Sequence, residues 1–142
     1  MSEAESFVDT NVFVYQLQAA EPRKAEIADR IIRRAIATGD ACISFQVVQE
    51  FLNVALRKAT VPLDVQGARL YLDNVLAPLL RVPASLELYR RGLEVQNRFQ
   101  LSFYDALIVA AALEAGCDRL WSEDLQDGLR IGRLQVENPF RD

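Results

Sequence analysis

Carboxylates dominate what this chain could do chemically. Its 142 residues hold 20 Asp and Glu against 16 Lys and Arg, and no histidine. Without histidine, the usual general base of serine and cysteine hydrolases and the commonest zinc ligand are both missing. Chemistry must then fall to acids or arginines. Hard divalent cations such as Mg²⁺ take oxygen ligands, keep several waters, and are held by a few carboxylates together with substrate phosphate oxygens. Asp9, Glu50, Asp105 and Asp124, gathered in one place, would form a cradle for such an ion.

Each of these acids also has a purely structural use. Asp9, followed by Thr10 and Asn11, can cap a helix or form an Asx turn. Ser102 and Asp105 fit a capping box, in which the acid bonds back to the cap. Glu50 can be an ordinary polar-face residue, and Glu123 and Asp124 can sit in a solvated turn.

The elements around them follow from pattern. Ser6 to Val8 is a short apolar strand ending at Asp9, after which Asn11 to Leu17 begins a helix. From Pro22, the apolar positions Ile27, Ile31, Ile32, Ala35 and Ile36 mark an amphipathic helix stopped by Gly39. Ala41 to Ser44 reads as a strand, with Ser44 capping a helix whose stripe is Val47, Val48, Phe51, Leu52 and Ala55. Glu50 lies beside that stripe on an arc shared with Asn53 and Arg57. A helix is expected over Leu63 to Leu76, a strand over Leu79 to Val82, and a helix from Ser85 to about Gln100. Ser102 opens another, FYDALIVAAALEAG, with Asp105 in its first turn. Arg119 to Ser122 and Leu134 to Val136 are further strands, with a loop or short helix over Glu123 to Gly128. Short strands alternating with helices predict an α/β fold: a central, mostly parallel sheet of four to five strands flanked by helices. In such folds ligands gather beyond the carboxyl ends of the strands. Length and the absence of a linker predict one domain over residues 1–142.

Cys42 and Cys117 form no CxxC pair and read as small core residues, and Trp121 as a core aromatic. A reduced, cytoplasmic compartment is the expectation. The longest apolar run, Ala106 to Leu113, is too short to span a bilayer, and the first six residues carry no basic side chain, so no membrane association or export is expected. The formal charge of −4 is unusual for a partner of nucleic acid, but setting four acids around cations leaves 16 basic and 16 acidic residues. Fourteen of the basic residues are arginine, whose planar fork suits phosphate oxygens.

Taken in order, FVDTNVFVY, ISFQVVQEFLNVAL, LSFYDALIVAAALEAGC, LWSEDLQDG and VENPF closely resemble the PIN-domain ribonucleases, and more narrowly the VapC toxins of bacterial toxin–antitoxin pairs. The resemblance runs from Phe7 nearly to Phe140. It implies that Asp9, Glu50, Asp105 and Asp124 are the family's four catalytic, metal-binding acids, with Glu123 and Asp127 as alternatives for the fourth. Thr10 and Ser122 match small hydroxyl positions that orient water or a carboxylate. The implied activity is an endoribonuclease using Mg²⁺ or Mn²⁺ that leaves a 5′-phosphate and a 3′-hydroxyl. The implied partners are RNA, an antitoxin whose tail enters the active-site groove, and a second copy in a homodimer. For RNA contact Arg57, Lys58 and Arg98 are the candidates. A HAD-type phosphatase would need a second aspartate where Asn11 stands, and a response-regulator receiver would need paired acids. The remaining alternatives are a PIN-like RNA-processing nuclease that is not a toxin and a non-catalytic RNA- or protein-binding module.

Overall fold

In the computed structural model, which describes residues 4–57 and 63–141, the strands are short, and the two at the centre of the N-terminal half, Ser6–Val8 and Ala41–Ser44, are buried along their whole length. They are β1 (Ser6–Val8), β2 (Ala41–Ser44), β3 (Leu80–Val82), β4 (Arg119–Trp121), β5 (Arg130–Ile131) and β6 (Leu134–Glu137). One sheet holds them in the order β3-β2-β1-β4-β6-β5, parallel throughout except for β5, which runs antiparallel to β6. The sheet thus has six strands rather than four to five. The additional strand, β5, has two residues, too few for an alternating pattern to show. It pairs through Arg130 with Gln135 and Ile131 with Leu134, leaving a two-residue turn that opens on Gly132 at φ 62. Tight hairpins of this length need a positive φ, which glycine adopts without strain.

The helices are α1 (Thr10–Gln16), α2 (Pro22–Thr38), α3 (Phe45–Arg57), α4 (Val65–Tyr71), α5 (Ala77–Leu79), α6 (Leu86–Phe99) and α7 (Phe103–Glu114). The single helix expected over Leu63 to Leu76 instead starts at Val65, where the Asp64 side chain accepts from Gly67 N–H at 2.8 Å, and passes into a π-helical segment at Leu72–Leu76. Ser44 does not cap α3. It closes β2, and its hydroxyl is buried without a partner among the described residues.

Burial follows the apolar stripes. Ile32 and Ala35 of α2 and Val47, Phe51 and Ala55 of α3 are in the core, with Val48 and Leu52 half-buried against it, while Ile36 is exposed. Helix α7 is apolar on every side, and Ala106 to Ala112 are all buried, as expected of a helix central to a core. It packs so tightly on α6 that a Cβ at Gly92 would stand 3.2 Å from Leu107 Cδ1. Cys42 and Cys117 are free thiols in the core with sulfurs 3.9 Å apart. Trp121 is only half-buried, and the Arg119 guanidinium lies 4.6 Å from its ring centroid, so it borders the core rather than filling it. No helix among the described residues is long and apolar enough to cross a membrane.

This topology sets the site. The chain lays down β1, adds β2 and β3 on one side, then crosses to place β4 on the other. Strand order therefore reverses between β1 and β4, the crevice where open α/β sheets bind ligands. Asp9 directly follows β1 and Ser122 directly follows β4, and Asp9 N–H donates to the Trp121 carbonyl at 3.0 Å across that junction.

Candidate active site

Four elements bring acids to this crevice. Asp9 is the N-cap of α1, Glu50 lies in the second turn of α3, Asp105 in the first turn of α7, and Asp124 in the loop after β4. All four line one pocket of about 260 Å³, together with Thr10, Asn11, Gln46, Asn53, Val54 and Ile108. Among the described residues, no lysine or arginine lines it. Larger hollows, up to about 570 Å³, lie elsewhere and contain none of the four acids. Size does not mark the site here; convergent charge does.

Asp9 is the most deeply set, at 8% exposure. Its Oδ1 accepts from Thr10 N–H at 2.7 Å and its Oδ2 from the Ser122 hydroxyl at 2.8 Å. Ser122 Oγ in turn accepts from Leu125 N–H at 3.3 Å. Burial pushes the Asp9 carboxyl up to about 6 although these two donors oppose the rise, and the charges of Glu50 and Asp124 add to it. The N-cap role and the pocket role coexist: one oxygen serves the helix, the other the crevice.

The Thr10 hydroxyl donates to Glu50 Oε1 at 2.7 Å, and Gln46 Nε2 approaches Glu50 Oε2 at 3.3 Å. Ser102 Oγ accepts from Asp105 N–H at 3.2 Å, half of a capping box. The Asp105 carboxylate makes no return bond and has no donor among the described residues, so it is left to the pocket. Asp124 Oδ2 accepts from Asn11 Nδ2 at 2.7 Å. Its carboxyl is raised by partial burial and by the neighbouring Glu123, Asp105 and Glu50 charges, with Asn11 opposing.

The two alternatives for the fourth acid are committed elsewhere. Glu123 accepts from Tyr15 Oη at 2.6 Å and from Lys24 Nζ at 2.7 Å; burial pushes it up, but these bonds hold it below the usual range. Lys24 also lies 4.6 Å from the Tyr15 ring centroid, and Phe140 packs edge-on against that ring. Asp127 accepts from Asn138 N–H at 2.8 Å and pairs with Arg141.

Of the candidate RNA contacts, Arg57 is exposed on α3 two turns beyond Glu50, on the face that carries Asn53 and Val54 to the pocket. Lys58 lies outside the described residues. Arg98 faces a separate hollow with Arg91, Glu94 and Leu113. Asn11 and Gln46 were not singled out from sequence as holding acids. Gln46 could have been found from its position four residues before Glu50, the spacing that brings helical side chains together; the Asn11 contact has no local signal.

A parallel α/β sheet with an acid-lined crevice at its switch point defines the class of protein. Residues 6–127 match the PIN domain family, and the chain belongs to it. No curated protein matches the sequence. Among solved structures, the chain is similar in fold to a toxin–antitoxin complex from Klebsiella pneumoniae, at 18% identity over 95% of this chain and 98% of that one, with a TM-score of 0.64. It is similar to VapBC2 from Rickettsia felis bound to a promoter DNA fragment, at 15% identity over 94% and 97%, TM-score 0.66. It is also similar to VapC20 from Mycobacterium tuberculosis, a toxin that cleaves the sarcin–ricin loop, at 21% identity over 84% and 92%, TM-score 0.61.

Proposed function

We propose that this protein is a Mg²⁺- or Mn²⁺-dependent endoribonuclease, the toxin of a VapBC-type pair. The observation that carries the reading is the convergence of Asp9, Glu50, Asp105 and Asp124, from four separate elements, on one pocket that no basic residue lines among the described residues. The donor set fits a hard divalent cation: it is all oxygen, and Asp9 is a buried acid whose charge a cation would stabilise. No group of three acids among the described residues is close enough to enclose one ion. An ion here would be bound through one or two carboxylates and several waters, as Mg²⁺ usually is.

When bound, the cation lowers the pKa of water and offsets charge on the phosphoryl oxygens. The chain's own residues supply placement. Ser122 and the Thr10 amide hold Asp9, Thr10 and Gln46 hold Glu50, and Asn11 holds Asp124. All of these donors are neutral, so they orient the carboxylates without cancelling their charge. Arg57, exposed further along the same face of α3, would meet a phosphate of the bound strand.

An antitoxin partner is part of this reading, supported by the structural relatives described as toxin–antitoxin and VapBC complexes. The apolar side chains of Leu86, Tyr89 and Leu93, exposed along one side of α6, support assembly with a second copy. The test is RNA cleavage titrated with Mg²⁺ and Mn²⁺ and reversed by EDTA, comparing the wild type with Asp9→Asn and Asp105→Asn. Cleavage confined to the wild type is expected. Full activity in either folded variant would defeat the assignment.

A further inference from the structure

We infer that Gln46 is a positioning residue of the acid pocket, fixing Glu50 against the start of α7 so that the acids of two helices meet one cation. The inference rests on the metal-dependent reading above.

Gln46 is an anomaly in its surroundings. Glutamines are mostly exposed, yet this one is 3% exposed, in the first turn of α3. Its Nε2 lies 3.3 Å from Glu50 Oε2 and 3.1 Å from the Tyr104 carbonyl. An amide nitrogen has two hydrogens to donate, and both are used. Its Oε1 is buried with no donor among the described residues. Turning the amide over would set Oε1 against a carboxylate and a carbonyl, two acceptors facing an acceptor, so the orientation is determined. An orphaned interior carbonyl is destabilising. A leucine of similar size would fill the space without it, so packing alone does not account for a glutamine here.

The two partners account for it. Glu50 is one acid of the pocket, and the Tyr104 carbonyl belongs to the residue immediately before Asp105, a second acid. A single side chain therefore ties the acid of α3 to the backbone that carries the acid of α7. Thr10 holds Glu50 Oε1, so with Gln46 on Oε2 both oxygens are directed. A lysine or arginine could make the same link, but its charge would neutralise Glu50 and compete with the ion. A neutral amide sets the carboxylate's position and leaves its charge available.

The test uses the full chain with Gln46→Leu, which removes the amide at similar volume, and Gln46→Met as a second variant should the first fold poorly. Mn²⁺ binding without RNA is measured by calorimetry, folding by circular dichroism and melting in EDTA, and cleavage across a Mn²⁺ series. A folded variant is expected to bind Mn²⁺ roughly 10–100-fold more weakly, as outer-sphere changes do at metal sites, with cleavage restored by excess Mn²⁺. A lower melting temperature with Mn²⁺ affinity within about twofold of wild type would mark Gln46 as structural only and overturn the inference. Wild type that neither binds Mn²⁺ nor cleaves RNA would instead overturn the metal-dependent reading, and this one with it.

Discussion

Two sides of one short loop treat the same chemical group in opposite ways. Glu123 and Asp127 each meet a cation, Lys24 and Arg141, while Asp124 between them meets, among the described residues, only the Asn11 amide. The same division runs through the molecule. Asp29, Asp40 and Glu137 pair with arginines on the surface, whereas Asp9 and Glu50 are held by hydroxyls and amides. Acids with cationic partners have their charge answered and serve the fold. Acids with only neutral donors are oriented but unneutralised, a state that an added cation relieves.

The largest expected effect follows directly. Asp9→Asn and Asp105→Asn should reduce EDTA-sensitive RNA cleavage to background while Asp127→Asn retains most of it, in a fluorogenic RNA assay. Equal loss in Asp127→Asn would erase the distinction between the two kinds of acid.

Metal-free stability gives the next test. The Asp9 carboxyl is raised from an ordinary 3.8 to about 6. Between those values the native state keeps a proton that the unfolded chain has released, so stability falls as pH rises through this window and levels off above about 6. The deficit is about 3 kcal/mol at neutral pH on a scale of 1.36 kcal/mol per unit. Urea titrations in EDTA should show Asp9→Asn gaining on wild type between pH 4 and pH 6 by an amount of that order, and a flat difference would refute it. Adding Mn²⁺ should largely offset the deficit: at 100 times its dissociation constant it stabilises wild type by about 2.7 kcal/mol, measurable as a rise in melting temperature that Asp9→Asn lacks.

The smallest effect belongs to the cation-paired side. Lys24 and Glu123 are each about a quarter exposed. Lys24→Met should lower stability by about 1 kcal/mol in the same urea titrations and leave Mn²⁺ affinity nearly unchanged. A collapse of Mn²⁺ affinity would mean that the pair, rather than Asn11, sets the position of Asp124.

Legibility from sequence tracked the distance over which a residue's environment is decided. Asp9 at the end of an apolar strand and Asp105 three residues after Ser102 are local patterns, and both lie where strand and cap rules put them. The buried α7 is likewise plain in its continuous apolar run. The π-helical segment and the two-residue β5 escaped because neither has a periodicity of its own. Ser44 has the composition of a cap, but its backbone is taken up by β2 and its hydroxyl turns inward.

Composition and local spacing thus determined an α/β chain with acids at element ends and no histidine to share the chemistry. Which of those acids are partners was decided only in three dimensions. The choice among Glu123, Asp124 and Asp127 turns on Lys24, 99 positions from Glu123, and on Asn11, 113 positions from Asp124. An ionisable group's role depends on the charges and donors within a few ångströms of it, and the crossing of the chain from β3 to β4 is what brings those neighbours within reach.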